Sequence, residues 1–159
     1  MSSQILPAPA GSDLVAAALT DVAERSLFAF VDVLPEDEFA ARCGMEAAWL
    51  CAEVAYRGPR DGVMRCALPR EVALECFAAF LGEPGDEAGD GPLFDMMGEL
   101  ANMICGAWLT RARPTEVYDL NRPQVAAMPP GWGPPAVAAP PTVPAALNDR
   151  PVAVWVAGH

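Results

Sequence analysis

"DMMGELANMICG", residues 95–106, has the spacing of a buried helix but carries groups that a buried helix rarely holds. Met96, Met97, Leu100, Met103 and Ile104 recur at three- and four-residue intervals, the period of a helix face turned toward a core. The same segment contains two carboxylates, Asp95 and Glu99, and a carboxamide, Asn102. At about 100° per residue, with Asp95 as origin, Glu99 falls at about 40°, Asn102 at about 340° and Gly106 at about 20°. These four share one narrow stripe, with Gly98 and Cys105 as small groups beside it. An ordinary solvated face would spread several charges over a wide arc. Gly98 and Gly106 each cost the helix about 1 kcal/mol relative to alanine, so a local need for close approach is expected. A Glu and an Asn at i, i+3 also suit the thin exposed edge of a mostly buried helix. E-x-x-N spacing alone does not separate these readings.

The helix is expected from about Leu93 to Thr110, closed by Pro114. Upstream, Trp49, Cys51, Glu53 and Ala55 alternate with Leu50, Ala52, Val54 and Tyr56. "RGPRDG" is rich in turn formers and "VMRCALP" is a second short run, so two antiparallel strands are predicted. "REVALECFAAFLG" predicts a short helix stopped at Gly82. Residues 83–92 read as a solvated acidic loop. "SDLVAAALTDVAERSLFAFVDV" predicts a first amphipathic helix, with Ser12 as N-cap and an end near Phe30. "LPEDEFAARCG" reads as an exposed acidic connection. Beyond the central helix, "TEVYDLNRPQVAAM" alternates like a strand. Residues 129–144 hold seven prolines in sixteen positions, which predicts an extended crossing and excludes a helix or central strand. "DRPVAVWVA" is a β-branched strand that this crossing would deliver to the sheet. The expected organisation is a disordered N-terminus over 1–12, a domain core over 13–128, the crossing at 129–144, and a C-terminal strand over 145–159. Hairpin-joined strands with grouped helices indicate an α+β fold, with helices on one face of an antiparallel sheet.

Composition narrows the function. The formal charge is −11, from 21 acids against 10 basic residues, all arginine. Nucleic acid or an anionic membrane surface would need clustered positive charge. With no lysine, Schiff-base chemistry is excluded. Five cysteines at 43, 51, 66, 76 and 105 sit among apolar neighbours without C-x-x-C spacing, so reduced, buried thiols are expected. The N-terminus lacks a basic region followed by an apolar one, and the apolar runs are too short to span a membrane. A soluble cytoplasmic protein is the expectation. The only histidine is His159, so no metal site is expected in the chain.

The segment from Asp95 to Gly106 resembles the signature helix of the CheC/CheX/FliY family of chemotaxis phosphatases: an Asp or Ser, then E-x-x-N, then a downstream proline. Asp95, Gly98, Glu99, Leu100, Asn102, Met103 and Gly106 match it, and Pro123 stands close to the separation that the family shows. The resemblance covers roughly residues 45–128. One E-x-x-N rather than two makes the chain CheX-like. It implies a CheC/CheX-like α+β fold, and hydrolysis of the aspartyl-phosphate of a CheY-type response regulator. Glu99 would bind the regulator's active-site lysine and Asn102 would position the attacking water, with Asp95, Gly98 and Gly106 facing the partner. No cofactor would be bound by this chain, because Mg²⁺ belongs to the regulator's active site. A homodimer formed through the sheets is also consistent with the family, with the C-terminal strand as one candidate interface. The chain departs from the family in "AWLT" after Gly106 and in the proline-rich segment. The alternatives are a non-catalytic module that binds a regulator or flagellar protein through the same helix, and a purely structural domain.

Overall fold

Alternation of large and polar side chains builds the central hairpin. Leu50, Ala52, Val54 and Tyr56 are buried on one side of β2 (Trp49–Arg57), with Met64, Cys66 and Leu68 on the same side of β3 (Gly62–Pro69). The strands pair antiparallel with Glu53 opposite Arg65, and those two side chains form a 2.7 Å ion pair. The computed structural model describes residues 11–84, 89–135 and 142–157. Within them lie five further strands: β1 (Val31–Val33), β4 (Asp119–Leu120), β5 (Gln124–Ala127), β6 (Thr142–Leu147) and β7 (Arg150–Ala157). All pair antiparallel in one sheet of order β1-β6-β7-β3-β2-β4, and β5 also pairs with β2.

The helices are α1 (Gly11–Val22), continued by a π turn over Ala23–Leu27, then α2 (Glu36–Cys43), α3 (Arg70–Leu81) and α4 (Asp90–Ala112). Val15 and Leu19 of α1, Phe77 of α3, and Leu93, Met97 and Ile104 of α4 pack on Val54, Met64, Val143, Val152 and Val154 of the sheet. This is the expected α+β architecture, with the long helices together on one face. Gly82 ends α3 with φ +69°, the left-handed conformation that a helix-stopping glycine supplies.

Several expectations change. The acidic stretch after Leu34 is helical as α2, because Phe39 is buried under it against Trp49 and Trp155. This smaller cluster covers the opposite face of the sheet. The first helix begins at Gly11, so Ser12 stands inside it, and its regular part stops at Val22. α4 starts at Asp90 and runs to Ala112, longer at both ends than its apolar period indicated. The predicted strand over 115–128 is broken into β4 and β5 around Asn121–Pro123, both on the outer edge of β2. The proline-rich segment does enter an interior strand. Pro144 lies in β6 opposite Ala153, and its carbonyl accepts from the Leu34 N–H at 2.8 Å. The N–H that proline lacks would point to that same side, where β1 has already ended. Residues 1–10 and 136–141, and His159, lie outside the described residues.

The C-terminal strand is also more central than expected. β7 sits between β6 and β3, so both its edges are occupied and it offers none to a second copy. It forms a hairpin with β6 through Asn148 and Asp149, both at positive φ (48° and 71°), as a two-residue I′ turn requires. Asn148 ties that turn to the chain before β1: its Oδ1 accepts from the Phe30 N–H, and its own N–H donates to the Phe30 carbonyl. At the start of β7, Arg150 donates to both carboxylate oxygens of Glu46 at 2.9 Å and to Glu71 at 3.2 Å.

Candidate functional site

α4 is held along its length before any functional group is considered. Asp90 in its first turn pairs with Arg70 at 2.7 Å, and Arg111 in its last turn approaches Asp21 of α1 at 3.7 Å. Met96, Met97, Leu100, Ala101, Ile104 and Cys105 are buried. Trp108 stacks edge-on against Tyr56 at 5.5 Å. The side that remains carries Asp95 and Glu99, both exposed, with Asn102 and Gly106 half-buried. The stripe predicted from the helical wheel therefore exists, and faces away from the sheet.

Its polar groups are uncommitted. Eight other acids, from Asp21 to Glu116, are held in ion pairs. Among the described residues neither Asp95 nor Glu99 has such a partner. The Asn102 Oδ1 is buried and no donor of the described chain reaches it. An amide used to knit a fold together normally spends its oxygen on a nearby N–H. Here the amide can turn without breaking a bond. Glu99 and Asn102 stand three residues apart, which places their Cβ atoms about 5–6 Å from each other on the helix surface.

The glycine on the stripe and the one beside it differ. Gly98, expected to face a partner, is buried: a Cβ there would lie 3.1 Å from Pro123 Cβ, 3.5 Å from its Cγ and 3.7 Å from Val125 Cγ2. The surface that approaches the helix at Gly98 is the chain's own β4–β5 link. Pro123, named only through the family motif, is thereby brought against α4. At Gly106 nothing lies within 4 Å of the Cβ position. A hollow of about 200 Å³ opens there, bounded by Leu109, Thr110, Arg113, Tyr118 and Leu120. Extending the wheel would have found Arg113, which stands about five turns beyond Asp95 and so at the same azimuth. Tyr118 and Leu120 carry no signal of this role in the sequence, because the loop after α4 brings them there.

No nucleophile emerges from the cysteines. Cys66, Cys76 and Cys105 are buried, and Cys43 and Cys51 half-buried, all unbridged. Burial raises the Cys105 thiol to about 12 and that of Cys76 to about 12. Both stay protonated and inert at neutral pH. Among the described residues no three His, Cys, Asp or Glu side chains converge as metal ligands. Among the described residues no helix is long and apolar enough to cross a membrane. A larger hollow of about 550 Å³ lies on the other face of the sheet, beside the Glu53–Arg65 pair and the rings of Trp132 and Trp155.

The domain is thus an α+β fold that presents an exposed carboxylate, Glu99, and an amide, Asn102, along the outer edge of one helix. Residues 50–131, more than half of the chain, match the family model described as the chemotaxis phosphatase CheX, and the chain belongs to that family. The chemotaxis protein CheX of Vibrio vulnificus is similar in structure, with a TM-score of 0.69 at 16% identity over 94% of this chain and 96% of that one. A CheX protein of Desulfovibrio desulfuricans gives 0.65 at 19% identity over 94% and 99%. The CheX of Borrelia burgdorferi, solved as a CheX–CheY–BeF3–Mg²⁺ complex, gives 0.57 at 15% identity over 91% and 95%. At these identities the likeness is one of fold. No curated protein matches the chain.

Proposed function

We propose that this protein is a phosphatase for the aspartyl-phosphate of a CheY-type response regulator, acting from the outer edge of α4. The observation that carries the reading is the pair Glu99 and Asn102. In a chain of the CheX family, both lie on one side of the helix and neither is spent on the fold. The solved CheX–CheY complex of Borrelia burgdorferi supports a regulator as the partner.

The chemistry needs little from this chain. An aspartyl-phosphate is a mixed anhydride, already activated, so positioning and charge neutralisation carry most of the rate. Glu99 accepts charge-assisted hydrogen bonds from the lysine of the regulator's site and so orients the helix on it. Once its side chain turns to bring the buried Oδ1 outward, Asn102 donates through Nδ2 and accepts through Oδ1, which holds a water in line with the phosphorus. The water oxygen forms a new P–O bond as the bond to the aspartyl oxygen breaks. The regulator's aspartate leaves as carboxylate, and the water proton departs with inorganic phosphate. Mg²⁺, held by the regulator, would neutralise charge on the phosphoryl oxygens. Asp95, one turn before Glu99, extends the same contact. Docking also excludes bulk water from a site that is open in the free protein.

The test is phosphate release from an acetyl-phosphate-charged regulator. Asn102→Ala is expected to slow release by roughly 10²-fold while binding persists. Equal rates for the variant and the parent would refute the role of Asn102. A parent that binds the charged regulator without shortening its lifetime would instead establish a non-catalytic module on the same helix.

A further inference from the structure

The face of the sheet turned away from the long helices is built in rows. Strand pairing sets Gln124 of β5, Glu53 of β2, Arg65 of β3 and Trp155 of β7 side by side. Two residues further along each strand, on the same face, the row is Ala126, Cys51, Ala67 and Ala153. A row of large side chains thus borders a row of small ones. Trp132 packs edge-on against Trp49 with ring centroids 6.0 Å apart, and its ring lies 6.5 Å from that of Trp155. It crosses the small row where Ala67 and Ala153 are buried. What stays open is a trough of about 550 Å³, floored by Cys51 and Ala126, closed at one end by Trp132 and bordered by Gln124, Glu53 and Arg65.

The polar border is only half used. Arg65 approaches through Nε at 2.9 Å and through Nη2 at 2.7 Å, and both contacts go to Oε1 of Glu53. A fork-to-fork pair would engage both carboxylate oxygens. Among the described residues Glu53 Oε2, Arg65 Nη1 and the Gln124 carboxamide have no partner. Across the row these free groups are a donor, an acceptor, and an amide that can serve as either. They restrict the occupant. Arg65 is the only cation on the lining and is already neutralised by Glu53, in a chain of charge −11, so an anion gains no countercharge there. A hydrocarbon would cover three polar groups without pairing them. The indoles of Trp132 and Trp155 favour a flat ring.

These requirements meet in a neutral, flat heterocycle whose edge carries an acceptor beside two donors. We propose that the trough is a small-molecule site for a guanine-type base. The ring lies against Trp132. Its carbonyl accepts from Arg65 Nη1, its ring N–H donates to Glu53 Oε2, and its amino group donates to the carboxamide oxygen of Gln124. The order acceptor, donor, donor on the base matches the order Arg65, Glu53, Gln124 across β3, β2 and β5. Adenine offers an amino donor where guanine has its carbonyl, and would turn a ring lone pair toward Glu53. The site is separate from Glu99 and Asn102, because α4 packs on the other face of the sheet.

The experiment titrates the full chain with guanosine, adenosine and free tryptophan by calorimetry, with thermal melting as the control for folding. Guanosine is expected to bind with a Kd on the order of 10–100 µM, the strength that a ligand of its size reaches. Adenosine is expected to bind roughly 10-fold more weakly or worse, because it leaves Glu53 and Arg65 unpaired. Ala126→Leu fills the floor from an exposed position, so it should abolish guanosine binding while the melting midpoint stays within about 2 °C of the parent. Glu53→Gln keeps the shape and removes the charged acceptor, and is expected to weaken guanosine by roughly 10-fold and to narrow its advantage over adenosine. The absence of saturable binding by guanosine at millimolar concentration would overturn the proposal. So would adenosine or tryptophan binding as tightly as guanosine, or an Ala126→Leu variant that keeps the parent's affinity.

Discussion

Gly98→Ala tests whether the β4–β5 link holds α4 in its working position. The added methyl would sit 3.1 Å from Pro123 Cβ and 3.5 Å from its Cγ. Carbon atoms in good contact stand about 3.5–4.0 Å apart, so the pair must separate by about 0.5 Å. Two effects oppose each other. Alanine improves the helix by about 1 kcal/mol, and an overpacked methylene costs about 1–3 kcal/mol. The expected balance is a loss of about 1 kcal/mol, or roughly 2–4 °C in melting midpoint. The relief is shared between Pro123 and the turn of α4 that carries Glu99, so that residue and Asn102 move by a fraction of the 0.5 Å. Because a misplacement of about 1 Å can cost 10²-fold in rate, phosphate release is expected to fall by roughly 10-fold. Gly98→Ala combined with Pro123→Gly removes the clashing Cβ. It should recover most of the rate and melt above Pro123→Gly alone, because the helix gain from alanine remains once the clash is gone while glycine loosens the link in both. If Gly98→Ala melts above the parent at an unchanged rate, Pro123 does not constrain the helix and the reasoning fails.

Arg150 holds Glu46, whose side chain is only 12% exposed, together with Glu71 and Glu75. Arg150→Met leaves that carboxylate without its bidentate partner, and urea unfolding should show a loss of about 2–3 kcal/mol. A loss under about 0.5 kcal/mol would show that the cluster is a solvated surface pair. The buried thiols give the stability a pH dependence. Cys76 and Cys105 ionise near 9.0 when exposed and at about 12 when folded, both raised by burial. The unfolded chain loses these protons first, so their contribution is whole below pH 9 and declines from pH 9 toward pH 12, by up to about 1.4 kcal/mol per pH unit for each thiol. Replacing both by alanine should flatten that part of the stability profile, and an unchanged alkaline slope would count against their burial.

What could be read beforehand was what repeats. The alternation in Leu50–Tyr56, the turn formers between the strands and the glycine at 82 each encode a local preference that tertiary packing then confirmed. The wheel through Asp95, Glu99 and Asn102 was legible for the same reason, since helix geometry alone places three side chains on one edge. The failures share a different cause. α2 looks like a loop because its one buried large residue, Phe39, makes no period, and its helix is justified only by Trp49 and Trp155 waiting on the opposite face. Pro144 in an interior strand is tolerable only because β1 ends beside it. The distinct surroundings of Gly98 and Gly106 were invisible because a glycine's sequence context does not reveal which surface comes near. In each case the deciding neighbour is far away in the chain.

A site of this kind places an unusual demand on the fold. The spacing of Glu99 and Asn102 is set by three residues of helix and needs no tertiary support. What the rest of the chain must control is the azimuth of α4, because a rotation of about 100°, one residue's worth, would turn the pair into the core or aside. The restraints found around the helix act on that rotation. Gly98 lies against Pro123 beside Glu99, Trp108 lies against Tyr56 about two and a half turns later, and Arg70 and Asp21 hold the two ends. β4 and β5 are too short to add much to the sheet. Their pairing with β2 carries Pro123 to the helix and Tyr118 and Leu120 to the hollow at Gly106. These two strands are therefore better understood as the mount for the edge of α4 proposed to act on the regulator than as sheet, and shortening their link should disturb the proposed docking and catalysis before it disturbs the core.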